Sequence, residues 1–212
     1  MFTGIIQQVG ILVKKESHRG GITLTIAYSP WSDPLHPGES IAVNGVCLSI
    51  TSVNPQIFSC EMIPETITKT TLAEKKIQTL LNLERSLPAN ARLEGHIVLG
   101  HVDGIGVVTQ ILERGSEKQL FIRCDPHLLS NVVEKGSIAC DGVSLTVAKL
   151  TSTGFSVAIT PFTWKNTAFR KLQTGDKVNI ETDIIVKAIR KHLQDTGRSN
   201  IDIDFLQKTG FV

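Results

Sequence analysis

The sequence has no long apolar run, no concentration of one charge and few cysteines. No stretch approaches the roughly 20 apolar residues that a membrane-spanning helix needs, and no cationic segment precedes the few apolar residues at the start. The 22 Lys and Arg residues nearly balance the 20 Asp and Glu residues. Binding to a phosphate backbone needs clustered cations, and the Lys and Arg residues are dispersed. The sequence therefore predicts a cytoplasmic globular protein that binds neither membranes nor nucleic acid.

The four cysteines, Cys47, Cys60, Cys124 and Cys140, are widely spaced and form no C-x-x-C pair. A chain of 212 residues can bury a core without disulfides, so we expect reduced thiols. Their number is even, which leaves a disulfide open, but the spacing disfavours a zinc site. Gly104-Ile105-Gly106 continues as a β-branched run, so it is not a dinucleotide-binding motif.

The two halves of the chain match each other at an offset of 97 residues. From Ser40 to Glu84, 13 of 45 positions are identical to their partners. At the start of each half the offset is 96, which pairs Gly4 with Gly100. We interpret the change as one residue less in the first loop of the second half. The repeat predicts two homologous domains, 1–90 and 91–182, followed by a C-terminal helix and tail, 183–212.

Each half predicts strands, because apolar residues alternate or form short β-branched runs, as in residues 22–26 and 144–150. Turn formers recur every eight to twelve residues, which is typical of a small antiparallel β-barrel. Short helices are expected at 126–133 and, more weakly, at 32–36. A longer helix should begin near residues 182–183 and carry an apolar stripe, which either packs on its own barrel or associates subunits.

Two turns related by the repeat are the strongest local motif. Residues 44–49 read Asn-Gly-Val-Cys-Leu-Ser, and residues 141–146 read Asp-Gly-Val-Ser-Leu-Thr. Strand alternation places a thiol and a hydroxyl, or two hydroxyls, on one face just past a glycine turn, which suits a flat polar heterocycle. The alternative is that these side chains cap the turns. A second pair, residues 61–66 and 158–163, predicts strands that end at proline-bounded turns.

Residues 95–104 carry two histidines, His96 and His101, five positions apart. In a strand this spacing points the rings to opposite faces, so a shared metal ion is disfavoured. We expect His96 to be a structural residue. His101 pairs with Ile5 in the first half, so a titratable group has replaced an apolar one.

Taken together, these motifs resemble the riboflavin synthase alpha-chain family. They are the starting Met-Phe-Thr-Gly-Ile-Ile and residues 44–48, 95–104, 141–146 and 205–211. The resemblance implies an all-β fold of tandem six-stranded Greek-key barrels with a C-terminal α-helix that gathers three subunits. It places the active site between the N-terminal barrel of one subunit and the C-terminal barrel of its neighbour.

The reaction implied by the resemblance is a transferase step, the last of riboflavin biosynthesis. Two molecules of 6,7-dimethyl-8-ribityllumazine exchange a four-carbon unit to give riboflavin and 5-amino-6-ribitylaminouracil. Neither a cofactor nor a metal is expected, because the substrate's own C7 methyl group is acidic. Association with lumazine synthase is a further expectation.

The resemblance also implies two substrate pockets. In the first half the binding residues would be Gly4, Ile5, Ile6, Cys47, Leu48, Ser49, Glu61, Met62, Ile63, Pro64, Glu65 and Thr66. In the second half they would be Gly100, His101, Val102, Ser144, Leu145, Thr146, Thr160, Pro161, Phe162, Thr163, Trp164 and Lys165, with Lys135 reaching in from an adjacent chain. Family members more often carry an acidic residue or histidine at position 162 and leucine at position 164.

Five of these residues are candidates for catalysis. Ser144 and Thr146 would hydrogen-bond a pteridine, Asp141 would orient their turn, and His101 would transfer a proton at the methyl group. Cys47 is an alternative as a nucleophile at C7, a role that hydroxide or a ribityl hydroxyl could also fill.

Two other functions compete with the enzyme. One is a non-catalytic protein of the same fold that binds a fluorescent lumazine or flavin. The other is a flavin-dependent reductase domain, which would need an α/β nucleotide-binding partner domain that the sequence lacks.

Overall fold

The computed structural model describes residues 1–195, whose twelve strands form two closed antiparallel barrels. The first barrel is ordered β1-β2-β5-β4-β3-β6, so β2 pairs with β5 and β3 with β6, as in a Greek key. Its strands are β1 (Gln8–His18), β2 (Gly21–Ala27), β3 (Ser40–Val43), β4 (Val46–Asn54), β5 (Ile57–Met62) and β6 (Leu80–Arg85).

The second barrel repeats this order, with β8 beside β11 and β9 beside β12. Its strands are β7 (Gly104–Arg114), β8 (Glu117–Arg123), β9 (Ser137–Cys140), β10 (Val143–Thr151), β11 (Gly154–Ile159) and β12 (Lys177–Thr182). The predicted duplicated barrels are confirmed. The domain limits at 90/91 and 182/183 stay predictions.

Each barrel has its own core, filled by side chains from alternate positions of its strands. Phe58 is fully buried in the first core, and Phe155 lies at the equivalent position of the second. Cys60 and Cys140 are buried in different cores, and all four cysteines are free.

The two halves differ in length at one connection, and our interpretation of the offset was wrong. The first hairpin loops, residues 19–20 and 115–116, are equally long. The difference lies between the second and third strands, where residues 28–39 of the first half correspond to residues 124–136 of the second. The second half is therefore one residue longer, not shorter, and this changes the offset from 96 to 97.

Four α-helices accompany the strands within residues 1–195: α1 (Pro64–Lys69), α2 (Pro126–Leu129), α3 (Pro161–Asn166) and α4 (Ile184–Asp195). We predicted turns where α1 and α3 lie. Each of them starts with proline at its first position, where the missing N–H costs no hydrogen bond. Helix α2 is shorter than the predicted 126–133, and residues 32–36 form no helix.

Helix α4 begins where the sequence predicted. Asp183 Oδ1 accepts the N–H of Ile185 at 2.9 Å, which caps the first turn. Ile185 and Ile189 are 53% and 57% exposed, so the apolar stripe does not pack on its own barrel. The predicted end before Gly197 and the motif at 205–211 lie outside the described residues. Among the helices described, none is long and apolar enough to cross a membrane.

The two barrels meet around an approximate two-fold axis. The side-chain Nδ2 of Asn82 donates to the carbonyl oxygen of Asp141, and Asn179 Nδ2 donates to that of Asn44, both at 2.9 Å. An isolated antiparallel bridge between Phe2 and Val98 lies between the segments that lead into the barrels. Reciprocal contacts of this kind bring the equivalent turns of the two halves together.

Candidate functional site

Each barrel lies against the segment that leads into the other barrel. The backbone N–H of Ser144, on β10, donates to the carbonyl oxygen of Gly4 at 2.8 Å. Reciprocally, the N–H of Cys47, on β4, donates to the carbonyl oxygen of Gly100 at 2.9 Å. The leading segments are therefore exchanged at their glycines: Gly4 borders the second barrel, and Gly100 borders the first.

Two glutamates from equivalent strand ends hold these segments. Glu84 accepts the N–H groups of Thr3 and Gly4 at 2.6 and 3.0 Å. Glu181 accepts those of Leu99 and Gly100 at 2.7 and 2.9 Å. Burial raises the pKa of Glu181 to about 7 although the two N–H donors favour the charged form, and burial also raises that of Glu84.

The exchanged contacts require glycine at both segments. Gly4 has φ +77°, and a Cβ there would lie 2.6 Å from Ser144 Cβ. Gly100 has φ +78°, and its Cβ would lie 2.5 Å from Cys47 Cβ. Only a residue without a side chain allows this approach.

The first-barrel site is a cavity of about 540 Å³ with charged walls. On α1, Lys69 Nζ and Glu65 Oε1 form an ion pair at 2.8 Å. The segment that contains Gly100 contributes an exposed His101 and a half-buried Asp103. The lining is completed by Val46, Cys47, Ile63, Thr66, Thr70, Gly100 and Val102.

The second-barrel site consists of two cavities of about 330 and 380 Å³, both bordered by residues of α3. Phe162 is 77% exposed at the position equivalent to Glu65, and Asn166 replaces Lys69. These cavities therefore hold fewer charges than the first-barrel site. The first is lined by Lys135, Ser144, Leu145, Thr146, Ala148, Ala158, Thr160 and Thr163, the second by Ile6, Gln7, Gln8, Val9, Ser29, Phe162, Asn166 and Arg170.

The predicted grouping of the pocket residues by halves was wrong, because of the exchange. Gly100, His101 and Val102 line the cavity that contains Cys47. Gly4 contacts Ser144, and Ile6 packs against the second core. The repeat aligns equivalent residues but does not determine which barrel a connecting segment contacts.

The predicted binding residues on β4 and β5 divide between the first core and the barrel surface. Leu48 and Met62 are 4% and 1% exposed in the first core, so their side chains do not form the site. Ser49 and Glu61 lie exposed on β4 and β5, at the positions equivalent to Thr146 and Ala158, which line a cavity of the second barrel. The remaining positions are on the two short helices, where Pro64 and Pro161 start the helices, Trp164 packs against the second core and Lys165 is exposed.

Lys135 lines the same cavity as Ser144 within one chain. Its contact with the site of an adjacent chain stays a prediction. Its φ of +66° marks the turn before β9.

His96 is a functional candidate that the sequence reasoning missed. It is 8% exposed, and its Nδ1 lies 2.7 Å from Ser144 Oγ. Burial lowers its pKa, which favours the neutral ring that can accept the Ser144 proton. Within residues 1–195 its buried Nε2 has no hydrogen-bond partner. No sequence pattern linked it to Ser144, 48 positions away.

Asp141 lies at the contact between the barrels. It has φ +44°, and its Oδ1 accepts the N–H of Asn179 at 2.8 Å. Burial raises its pKa to about 6. The carboxylate therefore fixes the turn before Ser144, and Asn44 makes the same contact with Asn82 in the first half.

Residues 95–103 form no strand apart from the bridge at Val98, so the alternation argument does not apply to His96 and His101. The two side chains nevertheless serve different barrels, because His96 contacts Ser144 and His101 lines the first-barrel cavity. Across residues 1–195, no group of three His, Cys, Asp or Glu residues is placed to hold a metal ion.

Comparison with known proteins agrees with the duplicated barrel. The family model described as "Lumazine binding domain" matches residues 3–86 and 99–183. The riboflavin synthases of Actinobacillus pleuropneumoniae and Bacillus subtilis are each 39% identical to this chain, and the matches cover 100% of both partners. The chain belongs to the riboflavin synthase family.

The solved structures add support for the fold of this riboflavin synthase family member. The LumP protein, in complex with riboflavin, superposes with a TM-score of 0.78 at 22% identity, covering 86% of this chain and 99% of LumP. LumP bound to 6,7-dimethyl-8-(1'-D-ribityl) lumazine gives a TM-score of 0.76.

Proposed function

We propose that this chain is a riboflavin synthase: it converts two molecules of 6,7-dimethyl-8-ribityllumazine into riboflavin and 5-amino-6-ribitylaminouracil. The observation that carries the proposal is the presence of two related sites: Gly100 to Asp103 line the first-barrel cavity, and Ile6 and Gln7 line a cavity beside α3 of the second barrel. A reaction between two identical molecules needs two related pockets, and a duplicated domain supplies them.

The chemistry balances without another reactant. The four-carbon unit leaves the donor by breaking two C–N bonds and joins the two methyl carbons of the acceptor through new C–C bonds. The donor nitrogens take up the protons that those methyl groups release. The protein has to hold the two rings together and move protons, and proximity alone can supply a large part of the acceleration.

The proposed roles follow the positions of the side chains. Ser144 and Thr146 hydrogen-bond a pteridine in the second-barrel site, and His101 transfers a proton at the methyl group in the first. Asp141 acts through the turn that it fixes and is therefore a positioning residue. Cys47 remains the alternative nucleophile at C7.

We propose a homotrimer in which α4 associates the subunits and the N-terminal barrel of one faces the C-terminal barrel of the next. The exposed apolar residues of α4 support this assembly. Sedimentation should show a smaller mass after residues 183–212 are removed, and an unchanged mass would contradict the trimer. A cytoplasmic location agrees with the free thiols.

Association with lumazine synthase rests on the family resemblance alone. It is tested by co-sedimentation of the two purified proteins, where separate boundaries would contradict it.

The deciding experiment is to mix the protein with 6,7-dimethyl-8-ribityllumazine and follow the absorption and yellow-green emission of riboflavin. We expect conversion without added cofactor. Stable lumazine fluorescence without conversion would contradict the enzyme and favour a binding protein. If His101→Ala left the rate unchanged, His101 would lose its proposed role.

A further inference from the structure

Helix α4 reaches the first-barrel site through one ion pair. The Nζ of Lys187, in the first half of α4, lies 2.9 Å from both carboxylate oxygens of Asp103. The two side chains are largely buried, with 24% and 23% of their surfaces exposed. Asp103 lines the first-barrel cavity together with His101. The ion pair therefore joins α4 to the segment that carries His101.

The other contacts of Asp103 fix this segment to β12. Its Oδ2 accepts both the backbone N–H and the hydroxyl of Thr182 at 2.8 Å, and its own N–H donates to Ile180 at 2.8 Å. Lys187 also favours the charged form of Glu181, the residue that holds Gly100. One ammonium group thus balances the two carboxylates that position residues 99–103.

The first half offers a matched comparison. Gln7 occupies the position equivalent to Asp103, and its Oε1 accepts the N–H of Arg85 at 3.1 Å, just as Asp103 accepts that of Thr182. No helix follows β6 directly, because residues 86–95 are irregular. In the first half the neutral amide of Gln7 accepts this hydrogen bond. In the second half the carboxylate of Asp103 accepts it, and Lys187 of α4 supplies the opposite charge.

We propose that Lys187 is a positioning residue for the first-barrel site: by balancing Asp103 it holds the segment 99–103, and with it His101, in place. Without the ammonium group, a largely buried carboxylate would lose its counter-ion and move toward water. This inference rests on the proposed function, but its effect on lumazine binding can be measured even if no riboflavin is formed.

The test uses the full-length chain with two variants. Lys187→Met removes the charge, and Lys187→Met combined with Asp103→Gln reproduces the neutral arrangement found at Gln7. We expect the single variant to lower kcat about tenfold and to weaken lumazine binding about tenfold. The double variant should return both values to within about threefold of the unmodified protein. Sedimentation should give the same mass for all three proteins, because the substitutions leave the apolar stripe of α4 unaltered.

The proposal is overturned if Lys187→Met has no effect or if the double variant is as impaired as the single one. It is also overturned if the double variant regains its Tm but not its kcat and lumazine affinity, because Lys187 would then be merely structural. It is likewise overturned if Lys187→Met lowers the sedimented mass together with kcat and lumazine affinity, because Lys187 would then act in subunit assembly. If the unmodified protein forms no riboflavin, the proposed function fails, while the lumazine titration still decides the role of Lys187.

Discussion

The two barrels share strand order and even the contacts that hold their leading segments, yet they present different chemistry to their cavities. Around the first site are Glu65, Lys69, His101 and Asp103. The corresponding positions of the second site carry Phe162, Asn166, Ile5 and Gln7. The framework residues that set the backbone were kept in the repeat, whereas the cavity walls diverged. Such a difference fits two sites that hold the same molecule but give it different roles.

Loss of glycine at an exchanged segment should have the largest effect on stability. Gly100→Ala forces a Cβ into contact with Cys47 at a φ of +78°, so we expect the free energy of unfolding to fall by about 4 kcal/mol. Gly115→Ala is the control, because φ is +62° there but nothing lies within 4 Å of the added Cβ. It should cost about 1 kcal/mol. Urea denaturation measures both, and equal losses would contradict the close packing of the exchanged segments.

The sequence could predict the barrels because the repeat and the strand alternation are local patterns. It could not predict the exchange of leading segments, because Gly4 and Gly100 have the same neighbours in sequence whichever barrel they contact. The helices α1 and α3 were missed for a related reason. A six-residue segment that begins with proline resembles a turn in the sequence, and a helix this short depends on tertiary contacts for its stability.

Part of the site was visible in the sequence and part was not. The turns before Cys47 and Ser144 were identified because glycine and polar residues recur there at the same offset. Glu84 and Glu181 also recur, and identical acidic residues at the ends of equivalent strands were the signal that could have revealed their role. His96 has no partner in the repeat, so only the folded chain brings it to Ser144.

Removing the Ser144 hydroxyl should give the second largest effect and tests whether the two sites are chemically unequal. We expect Ser144→Ala to lower kcat about 100-fold, because the hydroxyl and His96 form the polar pair beside the second-barrel cavity. Steady-state kinetics provides the measurement. His96→Ala combined with Ser144→Ala should be no worse than the more impaired single variant if the pair acts as a unit. Losses that multiply would show that the two residues act independently.

Making Asp141 resemble its counterpart Asn44 should change stability in a pH-dependent way. Burial raises the pKa of Asp141 from 3.8 to about 6, so the folded state binds a proton more tightly than the unfolded state. The stabilisation from this proton is present below pH 4 and is lost as the pH rises through about 6. Asp141→Asn keeps an oxygen that can accept the N–H of Asn179, and it avoids the buried charge. At pH 8 its free energy of unfolding should therefore exceed that of the unmodified protein by about 2 kcal/mol.

Measuring the free energy of unfolding of both proteins from pH 4 to pH 8 tests this prediction, and the gap should close toward pH 4. The mirror variant Asn44→Asp introduces a carboxylate at the equivalent turn and should destabilise the chain at pH 8. A constant difference between Asp141→Asn and the unmodified protein across the range would contradict the raised pKa.

The smallest effect is expected when Cys47 is given the hydroxyl of its counterpart Ser144. The contact of Cys47 with Gly100 is made by the backbone N–H and survives the substitution, and serine is slightly smaller than cysteine. We expect Cys47→Ser to lower kcat by about threefold, measured as riboflavin formation at saturating lumazine. A nucleophilic thiolate at C7 would predict a far larger loss, because a serine hydroxyl is a much weaker nucleophile than a thiolate. If kcat instead fell 100-fold or more and did not recover at any pH, Cys47 would be the group that attacks C7, and the first barrel would be the site of that attack.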